Sequence, residues 1–160
     1  VGNGVGPVLE VMDVMKVLKR EKNRPLDLEK KAVNMANIIF GMIKHKKNAL
    51  ELLDSGKAYR KMLEIIDAQG KRKIPRLGGY TYDIKSKKTG IVKKMDNKLI
   101  SKIARLAGSP KNKGAGLYLY VKIGNKVRKN DKLFTIYSEN KQKLKELIEK
   151  LEEIQAVRVN

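Results

Sequence analysis

The sequence predicts an α+β fold, in which an N-terminal helical segment precedes a small mixed α/β domain. Apolar residues recur at helical spacing through the first 70 residues, and they alternate at strand spacing after residue 80. A basic stretch with proline and glycine, Lys71–Gly79, separates the two patterns. We therefore divide the chain into segments 1–72 and 73–160.

The first segment predicts four helices. Apolar spacing indicates the first over residues 7–20, and Pro25 with Asp27 introduces a second that has one apolar face. A short third helix covers residues 47–54. Ser55 is expected to cap the fourth helix through its hydroxyl group, and Gly70 is expected to end it.

The second segment predicts short strands around two helices. Tyr80–Ile84 and Gly90–Val92 have the pattern of strands, and Asp96 is placed to cap a helix that ends at Gly108. Residues 114–137 predict two or three further strands. An amphipathic helix over residues 144–151 and a last strand over 156–159 complete the segment.

Composition excludes several kinds of site. The chain has 160 residues, no cysteine and one histidine, so it lacks disulfides, thiolate zinc ligands and an imidazole cluster. The net charge is +20, and 29 of the 37 basic residues are lysines that are spread over every segment. This distribution favours solvated lysine faces, as in a thermophile protein, over a surface that binds a polyanion. No apolar run is long enough to span a membrane, and we expect a cytoplasmic protein.

No residue pattern in the chain specifies a catalytic site. Glu51, Asp54, Glu64 and Asp67 have helical spacing and are predicted to form a solvated face with ion pairs, while His45 is predicted at the surface. The glycines of residues 2–6 precede a helix as in an anion cradle, but no Gly-Lys-Ser/Thr follows, which favours a loop that packs the helix start. We assign no catalytic and no substrate-binding residue.

Several motifs together resemble the C-terminal part of the thymidine phosphorylase family, and most closely its archaeal AMP phosphorylase branch. The chain begins without methionine, and we expect it to be a fragment of a longer protein. The motifs are Val5-Gly6-Pro7-Val8-Leu9-Glu10-Val11, Ser55-Gly56-Lys57-Ala58, Ala68-Gln69-Gly70, Gly90-Ile91-Val92, Asp96-Asn97, Ile103-Ala104, Ala107-Gly108 and Lys113-Gly114-Ala115-Gly116.

The resemblance implies a parent pentosyltransferase that splits a nucleoside 5′-monophosphate, AMP, with inorganic phosphate into base and ribose 1,5-bisphosphate. Thymidine or another pyrimidine nucleoside is the alternative substrate. The family's phosphate- and base-binding motifs lie upstream, so the chain is expected to be inactive alone and to hold no cofactor. Its expected role is to complete the central domain and to support closure and homo-oligomer contacts. The resemblance also implies that Asp13 matches a carboxylate that helps hold a monovalent cation in bacterial relatives; the alternative is an ordinary exposed helix residue.

Two other interpretations remain. The pattern of Gly124, Val127, Asp131 and Leu133 is similar to biotinyl and lipoyl carrier domains, and it predicts a strand sandwich of the α/β-hammerhead or barrel-sandwich-like type. Lys94-Met95-Asp96 lacks the modified-lysine arrangement of a carrier. The alternative of another class is a basic RNA-binding accessory domain that uses Tyr118, Tyr120 and the lysine clusters, although nucleic acid is not the partner we favour.

Overall fold

A computed structural model describes residues 1–44, 46–70, 75–151 and 155–160. The predicted α+β fold is confirmed. The helices are α1 Pro7–Leu18, α2 Leu26–Met42, α3 Ala49–Asp54, α4 Lys57–Ala68, α5 Asn97–Ala107 and α6 Lys141–Lys150. The strands are β1 Gly4–Val5, β2 Tyr80–Lys85, β3 Gly90–Met95, β4 Gly116–Leu119, β5 Lys126–Val127, β6 Lys132–Ser138 and β7 Val157–Val159.

The chain forms two compact units. The helical unit comprises Val1–Gly2 and Val11–Ile74, of which the described part ends at Gly70. The mixed unit comprises Asn3–Glu10 and Pro75–Asn160. The sequence analysis grouped residues 3–10 with the helices. The structure groups them with the mixed unit because β1 pairs with β4, and a two-residue strand gives no periodicity from which it could be predicted.

The mixed unit contains two antiparallel sheets. The larger has the strand order β1-β4-β6-β2, and the smaller has the order β5-β3-β7. In the larger sheet Tyr118 and Asp83 both lie opposite Thr135, one on each side of β6. The described strands thus form two separate sheets and do not close into a barrel.

The core of the mixed unit lies between the inward faces of the strands and the two helices α5 and α6. The four residues predicted for the buried face of α5, Ile100, Ile103, Ala104 and Ala107, are all at most 4% exposed. Asp96 caps this helix as predicted, because its Oδ1 accepts from Lys98 N at 3.0 Å and from Leu99 N at 3.1 Å. Local capping and apolar spacing therefore determined this helix.

The helical unit differs from the prediction in two respects. Ser55 does not cap α4: its hydroxyl group donates to the Leu52 carbonyl oxygen, and Gly56, with φ of +69°, is the capping residue. Ile39 on the predicted apolar face of α2 is 54% exposed. His45 and the segment Lys71–Lys73, which the sequence analysis placed at the surface and at the domain boundary, lie outside the described residues.

Candidate functional site

Asp13, the one residue for which the sequence predicted a ligand role, is buried in the helical unit. It is 2% exposed, and one carboxylate oxygen lies 3.1 Å from the position that a Cβ atom on Gly2 would occupy. The Gly2 N–H group donates to Asp27 Oδ1 at 3.3 Å. Asp13 and Asp27 therefore flank the Gly2 backbone, which has φ of +74°.

The oxygen atoms at this position suit a hard, weakly charged cation. Carboxylate and carbonyl oxygens are ligands for such ions, whereas zinc and other transition metals favour imidazole or thiolate groups. The described residues contain no group of three or more His, Cys, Asp or Glu side chains that could hold a metal. The burial of Asp13 thus fits the monovalent cation that the family resemblance implies.

The glycine-rich start of the chain is a packing element in the mixed unit. A Cβ atom on Gly6 would lie 2.4 Å from the Ala115 carbonyl oxygen. The Gly6 N–H group donates to Glu10 Oε1 at 3.0 Å, and the Val8 N–H group donates to the Lys113 carbonyl oxygen at 3.2 Å. Because protein acceptors use these N–H groups, and Glu10 adds negative charge, the predicted packing loop is favoured over an anion cradle.

A cluster of charged side chains joins three helices of the helical unit. Glu29 is 8% exposed, and its carboxylate pairs with Arg24 and, at 2.7 Å, with Arg20. Arg20 also contacts Asp54 Oδ1 at 2.9 Å. Hydrogen bonding from Arg24 and then from Arg20 holds the pKa of Glu29 below its ordinary value. The sequence analysis did not single out Glu29, since an acidic residue in a first helical turn is common at surfaces.

The four carboxylates that the sequence places at helical spacing, Glu51, Asp54, Glu64 and Asp67, are all exposed. Asp54 pairs with Arg20, and Glu64 pairs with Lys61 within α4. These contacts agree with the predicted solvated face. The arrangement does not provide a buried carboxylate pair for general acid–base chemistry.

Tyr118 in β4 and Tyr120, directly after β4, belong to a polar network on the larger sheet. The Tyr118 and Tyr120 rings meet edge to face, with centroids 5.4 Å apart, and Asn3 Nδ2 donates to the Tyr118 hydroxyl oxygen at 3.3 Å. The Thr135 hydroxyl donates to Asp83 Oδ1 at 2.6 Å, so the Tyr120 hydroxyl, 3.1 Å away, donates to Thr135. Tyr118 is therefore a packing residue rather than a free stacking platform.

Asp83 connects this network to a cation. Lys132 Nζ lies 2.7 Å from Asp83 Oδ2. Hydrogen bonds from Lys132 and then from Thr135 lower the pKa of Asp83, and Asp83 raises the pKa of Lys132. Burial, followed by the neighbouring Tyr120, raises the pKa of Tyr137 on the same strand as Thr135. The charges of this sheet face thus balance one another.

The last motif of the resemblance, Lys113–Gly116, has a structural role that the sequence did not reveal. Glu139 accepts a hydrogen bond from Gly114 N at 2.6 Å and another from Asn112 Nδ2 at 3.2 Å. A Cβ atom on Gly114 would lie 2.2 Å from the Arg76 carbonyl oxygen.

Lys94, considered for a carrier role, lies inside β3 opposite Arg158 and not at the tip of a hairpin.

Comparison with known proteins shows which family the chain resembles. Residues 91–157, which run from β3 to β7, match the pyrimidine nucleoside phosphorylase C-terminal domain. The resemblance to the thymidine phosphorylase family is confirmed. An AMP phosphorylase of Methanococcus aeolicus is 42% identical over 154 residues, covering 90% of this chain and 31% of that protein.

Two further relatives of the phosphorylase family align over similar ranges. An AMP phosphorylase of Thermococcus kodakarensis is 42% identical over 92% of this chain and 31% of that protein. A protein of Rhodopseudomonas palustris named "Putative thymidine phosphorylase" is 40% identical over 88% of this chain and 29% of its own length. The chain thus spans about a third of the length of these curated relatives. No helix among the described residues is long and apolar enough to cross a membrane.

Proposed function

We propose that this chain is the C-terminal part of a phosphorylase that cleaves AMP with inorganic phosphate, giving adenine and ribose 1,5-bisphosphate. The observation that carries the proposal is the alignment with two AMP phosphorylases at 42% identity over 90% and 92% of the chain. A match over nearly the whole chain includes both units, so it links the helical unit as well as the mixed domain to this family.

Within that enzyme, the helical unit completes the central domain by packing against the upstream part of the polypeptide. Twelve large apolar side chains of the unit are more than a third exposed, among them Met42 at 79% and Ile43 at 66%. Among its described residues, the buried aliphatic side chains are Val17, Ala49 and Leu53. An exposed apolar surface of this extent favours an extensive interface with another part of the protein.

The chemistry of the proposed enzyme resides upstream, with inorganic phosphate as co-substrate. This chain contributes to domain closure, which excludes water from a reaction in which positive charge develops on the sugar. It also contributes to homo-oligomer contacts. The four carboxylates described above form no buried acid–base pair, which agrees with a non-catalytic role for this chain. The chain alone is then expected to be inactive.

Asp13 is proposed as a ligand for a monovalent cation in this enzyme. Its position beside the Gly2 backbone supports the proposal, since carboxylate oxygens are ligands for hard cations. The role is structural: the ion would hold the start of the chain against α1.

The proposal is tested by phosphate-dependent base release from AMP, CMP, UMP, uridine and thymidine with the full-length protein. We expect AMP to be the best substrate and ribose 1,5-bisphosphate to be the sugar product. A preference for thymidine or uridine, with the sugar 1-phosphate as product, would favour the alternative that the Rhodopseudomonas relative suggests. Base release that does not require phosphate would contradict both.

A further inference from the structure

Two loops of the mixed unit carry a concentration of positive charge that the proposed function does not use. Residues 85–90 and 126–132 together contain seven lysine or arginine residues and one acidic residue. All seven cations are exposed. We call these two loops the basic clasp; its cations are Lys85, Lys87, Lys88, Lys126, Arg128, Lys129 and Lys132.

Hydrogen bonds hold the two loops of the basic clasp together. Ser86 N donates to the Asp131 carbonyl oxygen, and Asn130 N donates to the Ser86 carbonyl oxygen, both at 2.8 Å. Lys129 N donates to Thr89 Oγ1 at 3.1 Å. Ser86 is only 3% exposed. The backbone that carries the cations is therefore ordered before any ligand binds, which lowers the entropic cost of binding.

The positive charge of the clasp is only partly compensated. Asp83 pairs with Lys132, and the Asp131 carboxylate accepts from the Arg128 backbone N–H group at 2.7 Å. Lys85 lies directly opposite Lys132 in the strand register, where like charges repel. Within the part of the chain that the structure describes, Lys87, Lys88 and Lys129 form no ion pair. This arrangement favours an external anion.

We propose that the basic clasp binds the phosphate backbone of nucleic acid, as a second function of this domain. Several cations on two joined loops suit a chain of phosphates, and lysine recognises phosphate as a point charge without reading bases. The two segments of the clasp contain no aromatic residue, so the clasp itself binds without base stacking. Binding is then independent of nucleotide sequence.

In the sequence the lysines are spread over every segment, which favours other partners over nucleic acid. The structure changes that order, since residues about 40 positions apart in the chain, such as Lys88 and Lys129, lie on hydrogen-bonded loops. The proposal does not depend on the phosphorolysis reaction, and each can fail without the other.

The test measures binding of the full-length protein to a fluorescently labelled RNA duplex by anisotropy, between about 50 and 200 mM NaCl. The K87Q/K88Q/K129Q variant removes the three clasp cations that form no ion pair with the described residues. The K141Q/K143Q/K145Q variant removes three exposed cations from α6 and serves as the control. Thermal unfolding verifies that both variants are folded.

We expect the clasp variant to bind about tenfold or more weakly at the lowest salt concentration, and the slope of log K against log salt to fall by about 3. The control variant should change affinity less than about threefold. An equal loss in both variants would overturn the proposal, because net charge alone would then explain binding. Absence of duplex binding, or clasp-dependent binding only to phosphatidylglycerol vesicles, would also overturn it.

Discussion

The Arg20 guanidinium group lies 2.7 Å from the Glu29 carboxylate, which joins the residues after α1 to the first turns of α2. The same Arg20 contacts Asp54 at the end of α3. Arg24 adds a second cation to Glu29. The Arg20 guanidinium group therefore connects α2 and α3 to the residues after α1, in a unit that has few buried apolar residues.

Replacement of Glu29 by Gln should destabilise the helical unit by about 1–3 kcal/mol, because Arg20 and Arg24 lose the carboxylate that compensates their charge. Urea unfolding followed by far-ultraviolet circular dichroism measures the effect. Glu51→Gln, at an exposed position of α3, is the matched control and should change stability by less than about 0.5 kcal/mol.

The ion pair of Arg20 and Glu29 predicts that the stability of the helical unit depends on pH. The pKa of Glu29 is lower in the folded state than in the unfolded state. The contribution of Glu29 to stability is therefore complete at a pH above its unfolded-state pKa, and it is lost as the pH falls through its folded-state pKa. Wild-type stability should therefore decrease from about pH 5 towards pH 3 more steeply than that of Glu29→Gln. Identical pH profiles for the two proteins would contradict this role of Glu29.

Asp96→Ala should lower the free energy of unfolding of the mixed unit by about 1 kcal/mol, since two backbone N–H groups at the start of α5 lose their acceptor. Asp96→Asn retains an acceptor oxygen and should restore most of the loss. Equal destabilisation by Ala and Asn, in urea unfolding, would show that the cap is not the cause.

Two glycine substitutions should have opposite signs. In Gly116→Ala the new Cβ atom would lie 2.1 Å from the Val5 carbonyl oxygen, at a φ of +152°, so β1 would have to separate from β4 at a cost of about 2–4 kcal/mol. Gly41→Ala in α2 meets open space and should stabilise by up to about 1 kcal/mol. Melting temperatures that moved in the same direction would contradict this reading.

Asp13→Asn should remove a potassium-dependent stabilisation. We expect potassium chloride to raise the melting temperature of the wild-type protein relative to choline chloride at equal ionic strength, and to have no such specific effect on the variant. Asp67→Asn, at an exposed carboxylate of α4, should retain the wild-type difference. A potassium effect that persisted in Asp13→Asn would exclude this residue as the ligand.

The 160-residue chain should self-associate through the helical unit. Met42 is 79% exposed, and Met42→Lys should weaken association about tenfold or more, since burying a Met side chain contributes about 1.5–3 kcal/mol. Ile123→Lys adds the same charge to the mixed unit, at a side chain that is 64% exposed, and should have little effect. Sedimentation equilibrium measures both; a wild-type chain that stays monomeric at high concentration would contradict the prediction.

Local signals predicted much of this fold. Asp96 and the buried face of α5 were predictable because a cap and a helical repeat act within a few residues. The prediction that Ser55 caps α4 was wrong because the next residue, Gly56, takes the capping position. Glycine adopts the left-handed conformation found there at little energetic cost. The strand β1 was not predicted, since its pairing partner lies more than 100 residues away.

The candidate site was less predictable than the fold. Asp13 was identified through the family resemblance, while its burial against Gly2 depends on the tertiary fold. Glu29 and the basic clasp were missed because both depend on contacts between residues that are distant in the sequence. In the sequence, the lysines of the clasp belong to a positive charge that is spread over every segment.

Phosphorolysis of AMP by the full-length protein and by the 160-residue chain, measured side by side as adenine release with and without phosphate, tests the central claim most directly. We predict phosphate-dependent release of adenine and formation of ribose 1,5-bisphosphate by the full-length protein alone. Adenine release by the 160-residue chain, or a folded full-length protein that is inert towards AMP and towards pyrimidine nucleosides, would contradict the account.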